Sequence, residues 1–234
     1  MATRQFNIFV GGNDDHDLVL ALLQQLRKVA QHPTKPSSRG GGTVTTYLQL
    51  QPGGETLLIS STGGWSKLGK KQEFFFWDAH DSGGRNLVIF DADYDTPEHE
   101  SGGHAKRLVS LLAKVLPYDP TPAIFLFPEP MQDGDLELLL LQLTQPQHQR
   151  VMACYDGYEQ CLRQYLDAAG QPYYNVPSNK RRLYDYVNVM PLTGDEWKRH
   201  HKDGGQKIFE NTDLWDLNAP AIQPLLAFLD QHIR

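Results

Sequence analysis

Apolar positions along the chain fall into two kinds of run, short continuous blocks and stripes of helical spacing, and the two alternate. Phe6 to Val10 is a short apolar block that predicts a strand, and Gly11-Gly12 closes it with a turn. Next comes a helical stripe from about His16 to Val29, with Leu18, Leu22, Leu26 and Val29 in line and Val19 and Leu23 beside them. Thr43 to Leu50 and Thr56 to Ser60 predict strands on either side of the Pro52-Gly53-Gly54 turn. From Trp65 to Trp77 the pattern is double. Glu73-Phe-Phe-Phe-Trp has strand character, but Trp65, Leu68, Gln72 and Phe75 keep helical spacing, and a helix is predicted. Leu87 to Phe90 and Ala123 to Phe127 are all-apolar blocks of the kind found in strands buried on both faces. Helices are predicted at His104–Leu116, Asp133–Leu143, Cys154–Ala168, Lys180–Val187 and Pro220–Ile233, the last with proline in its first turn. The Pro-, Ser- and Gly-rich stretch from His32 to Gly42 reads as a loop.

Strands alternating with helices imply an α/β fold: an open, mainly parallel sheet flanked by helices, followed by a C-terminal helical extension. No linker breaks the chain, so 234 residues are expected to form a single domain, with the core over about 4–130 and the helical extension over about 131–234. Composition changes this picture little: 40% apolar and 21% charged is ordinary for a globular chain. The net charge of −6 removes any global attraction to nucleic acid or an anionic membrane, so such contact would need a local basic patch or bridging metal. No run approaches the roughly 20 apolar residues that span a bilayer. With no signal peptide pattern at Met1-Ala-Thr-Arg-Gln, a cytoplasmic protein without membrane association is expected. Cys154 and Cys161 share one face of a predicted helix at a spacing unsuited to zinc, and are expected as buried thiols, with Tyr158, Leu162 and Tyr165 also inward.

The chemistry concentrates where Leu87-Val-Ile-Phe runs into Asp91, Asp93 and Asp95. A buried strand that ends in acids delivers them to the carboxyl edge of the sheet, where open α/β folds bind ligands. Carboxylates crowded together repel unless a cation or proton lies between them, and a hard divalent ion, Mg²⁺ or Mn²⁺, takes oxygen ligands of this type. The competing structural reading is an acidic turn, a role aspartate also fills.

The string Ile8-Phe-Val-Gly-Gly-Asn-Asp-Asp15 and the later Asp91-x-Asp93 strand together resemble the two halves of a Toprim domain, the fold of topoisomerases, DnaG-type primases and OLD-family nucleases. Gly63-Gly64-Trp65, Phe127-Pro128, Asp133-Gly-Asp-Leu-Glu137, Asp213-Leu-Trp-Asp216 and the Pro220–Leu229 stretch are similar to an uncharacterised bacterial Toprim-related family. The resemblance implies a metal bound through Asp91 and Asp93, with Asp95 beyond them, and metal-dependent phosphodiester cleavage. It also implies as partner a nucleic acid or an ATPase. Toprim enzymes carry an acid–base Glu at the end of the first strand; Gly11 stands at that place here, so Asp14, Asp15 or Glu137 would have to substitute. Without a substitute, the expectation becomes a non-catalytic interaction module.

Other signals point elsewhere. Ile89-Phe-Asp-Ala-Asp93 also resembles the opening motif of haloacid-dehalogenase-type phosphotransferases, with Asp91 as nucleophile and Asp93 as acid–base. That motif normally opens a chain, and the Pro-Glu-Pro after Phe127 is not the acidic pair the family expects. No P-loop is present, as Gly40-Gly-Gly42 lacks the following Lys-Ser/Thr. Lys180-Arg181-Arg182 is the strongest basic cluster and the candidate contact for phosphate or nucleic acid, with a solvated charge run as its ordinary explanation. His99 and His104 bracket a Gly-rich loop that could hold a soft metal, although such loops are ordinarily just flexible connections.

Overall fold

The computed structural model describes residues 3–26, 28–29, 38–40, 43–51, 54–97, 100–202 and 205–233, with the backbone alone at 38–40 and 43. Its sheet has six strands: β1 Gln5–Val10, β2 Ser38–Gly40, β3 Thr43–Gln49, β4 Thr56–Ser61, β5 Arg85–Asp91 and β6 Ala123–Phe127. In space they run β2-β3-β4-β1-β5-β6. β4, β1, β5 and β6 are parallel, while β3 pairs antiparallel to β4 and β2 to β3. The expected open, mainly parallel α/β sheet is thus observed. β1 and β5 are the inner two of the four parallel strands, and Ile8, Phe9, Val10, Leu87, Val88 and Ile89 have no exposed surface.

Helix α1 (Asn13–Gln25) joins β1 to the β3–β4 side, α2 (Glu73–Asp81) returns the chain across to β5, and α3 (His104–Val115) leads on to β6. The alternation of side chains along a strand divides the core. Phe9, Val88, Phe90 and Leu126 pack with Phe76 of α2 and Leu111 and Val115 of α3. On the opposite face of β6, Phe125 meets Phe228 at 5.4 Å. Phe228 belongs to the last helix. Phe9 and Phe76 stand 4.6 Å apart at the centre of the first layer, and truncating either would cost about 3–5 kcal/mol. A buried polar ladder pins α2 to the sheet. Asn7 donates to the Phe75 carbonyl and to Asn86, and Asn86 donates to the Phe76 carbonyl and Asp119.

The chain separates into two compact units rather than following the division expected near residue 131. Residues 1–139 and 220–234 form the first unit, and 140–219 the second. The reason is the apolar content of the ends of the supposed extension. α4 (Leu136–Gln142) starts within the first unit, and the terminal helix, Gln223–His232, lies on β6. The second unit contains α5 (Gln149–Arg163), α6 (Asn179–Asn188) and α7 (Gly194–His201), so the terminal helix is α8. Trp215 anchors this unit: it is 1% exposed, its indole donates to the Lys207 carbonyl at 2.7 Å, and it packs on Tyr186 and Phe209.

Local differences from the sequence reading have local causes. The 65–77 segment is two single-turn 3₁₀ pieces, Trp65–Lys67 and Lys70–Gln72, before α2 begins. Gly69 at φ +142° breaks the helical stripe, a conformation only glycine takes without strain. Of the 32–42 loop, Ser38–Gly40 form the edge strand β2, and 32–37 and 41–42 lie outside the described residues. α7 was not anticipated, being short and dominated by charge. Cys154 and Cys161 are exposed, as are Tyr158 and Tyr165. The inward stripe of α5 runs instead through Met152, Tyr155, Glu159 and Leu162, so the apolar residues on the other face misled the periodicity.

Candidate functional site

From β1 the chain leaves toward the β2–β4 side of the sheet, and from β5 it leaves the other way, to β6. The carboxyl ends of β1 and β5 therefore flank the switch point of the sheet, where neighbouring connections diverge and leave a crevice. Three acidic segments arrive there: Asn13-Asp-Asp15 after β1, Asp91-Ala-Asp93 at the end of β5, and Asp133-Gly-Asp135 with Glu137 after β6.

Asp15 occupies the first turn of α1, where an acid complements the helix dipole. Its Oδ2 accepts the Gly12 amide at 2.7 Å, and Gly12 has no side chain to return the bond. That bond caps the helix start, yet it does not use the whole group. Asp15 is 6% exposed, and its Oδ1 is buried with no hydrogen-bond partner. Burial, then the neighbouring Asp14 and Glu137, push its carboxyl up to about 7, against the Gly12 bond that pulls it down. Asp91 behaves alike. Burial and then the charge of Asp15 hold it well above the ordinary carboxylate range, although its Oδ1 accepts the Leu136 amide at 2.7 Å. Glu137, in the first turn of α4, adds to the field at both residues. Asp14 is half-buried beside Asp15 and shares that field.

Asp93 and Asp95 each have a cationic partner, although the charge of Asp93 also reaches Asp91. Asp93 adopts φ +58° and exchanges backbone hydrogen bonds with Gly134, at 2.7 and 2.9 Å. Its carboxylate pairs with Arg107. Asp95 is exposed and pairs with Lys106. Asp133 accepts the His104 amide and so caps α3, while Asp135 accepts the Leu138 amide at the start of α4. Of the acids around Asp91, Asp15 acts on it most strongly, then Glu137, and then Asp93 of the expected set, while Asp95 pairs with Lys106. Among the described residues, no three His, Cys, Asp or Glu side chains converge as a ready-made metal set. A pair of carboxylates nevertheless suits Mg²⁺, which keeps several waters and commonly takes only one or two carboxylates besides substrate phosphates. Asp15 Oδ1, buried and unpartnered, has the character of a free ligand position.

Gly11 lies between these groups. A Cβ built there would stand 3.7 Å from both Asp15 carboxylate oxygens and 3.4 Å from Phe90, without a clash. The carboxylate of Asp15 is therefore next to the space that a side chain at 11 would enter. The Gly11 carbonyl accepts the amides of Gly63 and Gly64 at 3.0 and 2.9 Å, which fixes Trp65 at the same edge. Over the Trp65 ring lies Arg107, its guanidinium carbon 4.3 Å from the centroid. The sequence reading passed over Arg107, but a signal was present. Arg107, Leu111 and Val115 follow one another at four-residue spacing and are all buried, so the arginine sits in a core position of α3.

The basic cluster lies in the second unit. Arg181 pairs with Asp185 one turn on, Arg182 reaches Asp156 at 2.7 Å and Glu159 at 3.9 Å, and Lys180 is exposed. Arg182 also lines a cavity of ≈ 480 Å³ with Leu141, Thr144, Gln145, Gln149 and Met152. His99 lies outside the described residues.

No family model and no curated protein matches the chain. Among solved structures, it is similar to the native futalosine hydrolase of Helicobacter pylori strain 26695, at 14% identity over 39% of this chain and 34% of that one, with a TM-score of 0.21. The chain spans about a third of that protein, and a superposition of this quality carries no functional argument. No helix among the described residues is long and apolar enough to cross a membrane.

Proposed function

We propose that the protein is a Toprim-like, metal-dependent phosphodiesterase whose Mg²⁺ or Mn²⁺ is held by Asp15 and Asp91 at the ends of β1 and β5. The observation that carries this reading is the pair itself. Asp15 is buried and Asp91 half-buried, the charge of Asp15 raises the proton affinity of Asp91, and Asp15 keeps an oxygen with no partner. A protein that maintains such a pair at a sheet switch point tolerates an electrostatic cost that a divalent ion would remove. When bound, the ion would orient a phosphate and lower the pKa of a bound water. Asp15 takes the place of the Toprim Glu: it is one turn later in sequence, beside the space that a side chain at Gly11 would fill. Glu137 contributes charge to both acids and would exchange the proton with the attacking water.

Calorimetry with Mn²⁺ on the wild type, Asp15→Asn and Asp91→Asn tests the metal, and a supercoiled-plasmid nicking assay with Mn²⁺ tests the chemistry. Binding and nicking lost in both variants are expected. Nicking that persists in Asp91→Asn would overturn the mechanism. A second reading, metal binding without catalysis, draws support from Asp93, whose carboxylate is already taken up by Arg107. It predicts Mn²⁺ binding with no nicking by the wild type, and nicking gained in Gly11→Glu.

A further inference from the structure

Arg107 is a buried charge for which the reading above has no use. It is 2% exposed, and it stands in the first turn of α3, where a cation opposes the helix dipole. Its Nη2 donates to Asp93, but Nε and Nη1 are buried without a hydrogen-bond partner. A guanidinium offers five N–H groups in one plane, and burying it with only one corner satisfied is costly. The Trp65 ring, 4.3 Å from the guanidinium carbon, supplies a cation–π contact but no hydrogen-bond acceptor, so Nε and Nη1 still lack one. Trp65 itself is fixed by the Gly63 and Gly64 amides on the Gly11 carbonyl, so the guanidinium belongs to the same strand ends as Asp15 and Asp91. The amide end of α3 is already closed by Asp133 on the His104 N–H, which leaves the arginine as the anion-seeking group.

We propose that Arg107 is the anion-binding residue of the site, receiving the oxygens of a phosphoryl group, with Asp93 as the resting partner that the ligand displaces. This rests on the reading of Asp15 and Asp91 as a cation site, because the phosphate would be shared between that ion and the guanidinium. A phosphoryl group fits better than a carboxylate. Its tetrahedral oxygens can satisfy separate donors of the guanidinium and still reach a cation, whereas a carboxylate has two oxygens in one plane. Asp93 is the point of entry. Its side chain is 42% exposed while that of Arg107 is 3%, so a ligand meets Asp93 first and gains the guanidinium by replacing its carboxylate. The φ of +58° and the two backbone bonds to Gly134 hold Asp93 in that covering position.

The test is calorimetric titration of the full chain with inorganic phosphate, with and without saturating Mn²⁺, for the wild type, Arg107→Gln, Arg107→Lys and Asp93→Asn. Phosphate affinity in the presence of Mn²⁺ is expected to fall at least about tenfold in Arg107→Gln and less in Arg107→Lys, which keeps the charge but loses the planar fork. Mn²⁺ affinity without phosphate is expected to hold or rise in Arg107→Gln, since a nearby positive charge is removed. Asp93→Asn, which loses the competing carboxylate, is expected to bind phosphate several-fold more tightly, and it keeps the proposal testable if Arg107→Gln fails to fold. No phosphate uptake by the wild type, an Arg107→Gln affinity within twofold of wild type, or unchanged or weaker binding by Asp93→Asn would each overturn the proposal. If the wild type takes up phosphate through Arg107 but shows no Mn²⁺ binding, the cation reading fails and the anion site stands. Mn²⁺ binding with phosphate indifferent to Arg107 gives the reverse.

Discussion

The two charged clusters that stand out in the sequence are in opposite electrostatic conditions. Around α6, Arg181 and Arg182 are each met by carboxylates of their own unit, Asp185 for one and Asp156 and Glu159 for the other, so little charge is left over. At the ends of β1 and β5, Asp15 and Asp91 are met mainly by other acids and by single backbone amides. The first arrangement is what a protein surface does with charge, and it contributes little. The second is unfavourable in isolation, and perturbed carboxylates in a crevice are a recognised mark of function. The difference teaches that the leftover charge, rather than the density of charge in the sequence, is what sets the proposed site apart.

The largest expected effect breaks the comparison if it fails. Asp91→Asn and Asp15→Asn should each lose at least about a hundredfold in Mn²⁺ affinity by calorimetry, since even outer-shell changes at metal sites cost about 10–100-fold. The triple variant Lys180→Ala, Arg181→Ala, Arg182→Ala should keep the Mn²⁺ affinity of the wild type. A loss of Mn²⁺ binding or nicking in the triple variant, with the acids indifferent, would move the working region to α6.

The second test uses pH. Asp15 has its carboxyl raised to about 7 from an ordinary 3.8, so the folded protein keeps a proton that the unfolded chain gives up. Below about pH 4 both states are protonated and no penalty exists. Between about pH 4 and 7 the unfolded state binds fewer protons, so metal-free stability falls as pH rises, and the full penalty is present above about 7. Its ceiling is about 4 kcal/mol, at 1.36 kcal/mol per pKa unit. Thermal melts in EDTA should show Asp15→Asn more stable than wild type at pH 8 and not at pH 4, with Mn²⁺ restoring the wild type at pH 8. A pH-independent difference would remove Asp15 as the source of the strain.

Much of this region was legible beforehand. The all-apolar blocks at Leu87–Phe90 and Ala123–Phe127 appear as β5 and β6, because continuous apolar runs suit strands buried on both faces. Asp91 was identified because it ends such a strand. Its true company was not, since the approach of Asp15 and Glu137 depends on how three successive connections leave the sheet. Arg107 escaped because the stripe it shares with Leu111 and Val115 reads as core, and an arginine in a stripe is easily taken for a boundary residue. α5 misled for the converse reason. Tyr158, Cys161 and Tyr165 have helical spacing, but spacing names a face without saying which way it points.

A third variant sharpens the contrast at one atom. Gly11→Glu adds a carboxylate beside Asp15 in space that admits a Cβ. Raising the acid count at a cation site tightens it, here by roughly tenfold for Mn²⁺. Without metal the same variant should melt lower than wild type at pH 8, the added charge deepening the penalty at Asp15. Higher metal-free stability would mean that the crevice does not concentrate negative charge.

The smallest effects belong to α6, and they test whether its charges are as self-contained as the geometry indicates. Arg182 has a side chain 15% exposed, and it donates to the Met152 carbonyl as well as to Asp156. Arg182→Ala therefore leaves a carbonyl without its donor and opens the wall of the ≈ 480 Å³ cavity that the arginine helps to line. A loss of about 1–2 kcal/mol in urea unfolding is expected, the usual cost of stranding a partly buried acceptor. Arg181 is 62% exposed and bonded only along its own helix in the pair with Asp185, so Arg181→Ala should leave the unfolding midpoint unchanged within error. If both variants lose stability equally, solvent does not screen the Arg181 pair and the α6 cluster is more than a neutralised surface. If Arg182→Ala alone is weaker, the two arginines differ by what lies beneath them, and neither bears on the acids at the ends of β1 and β5.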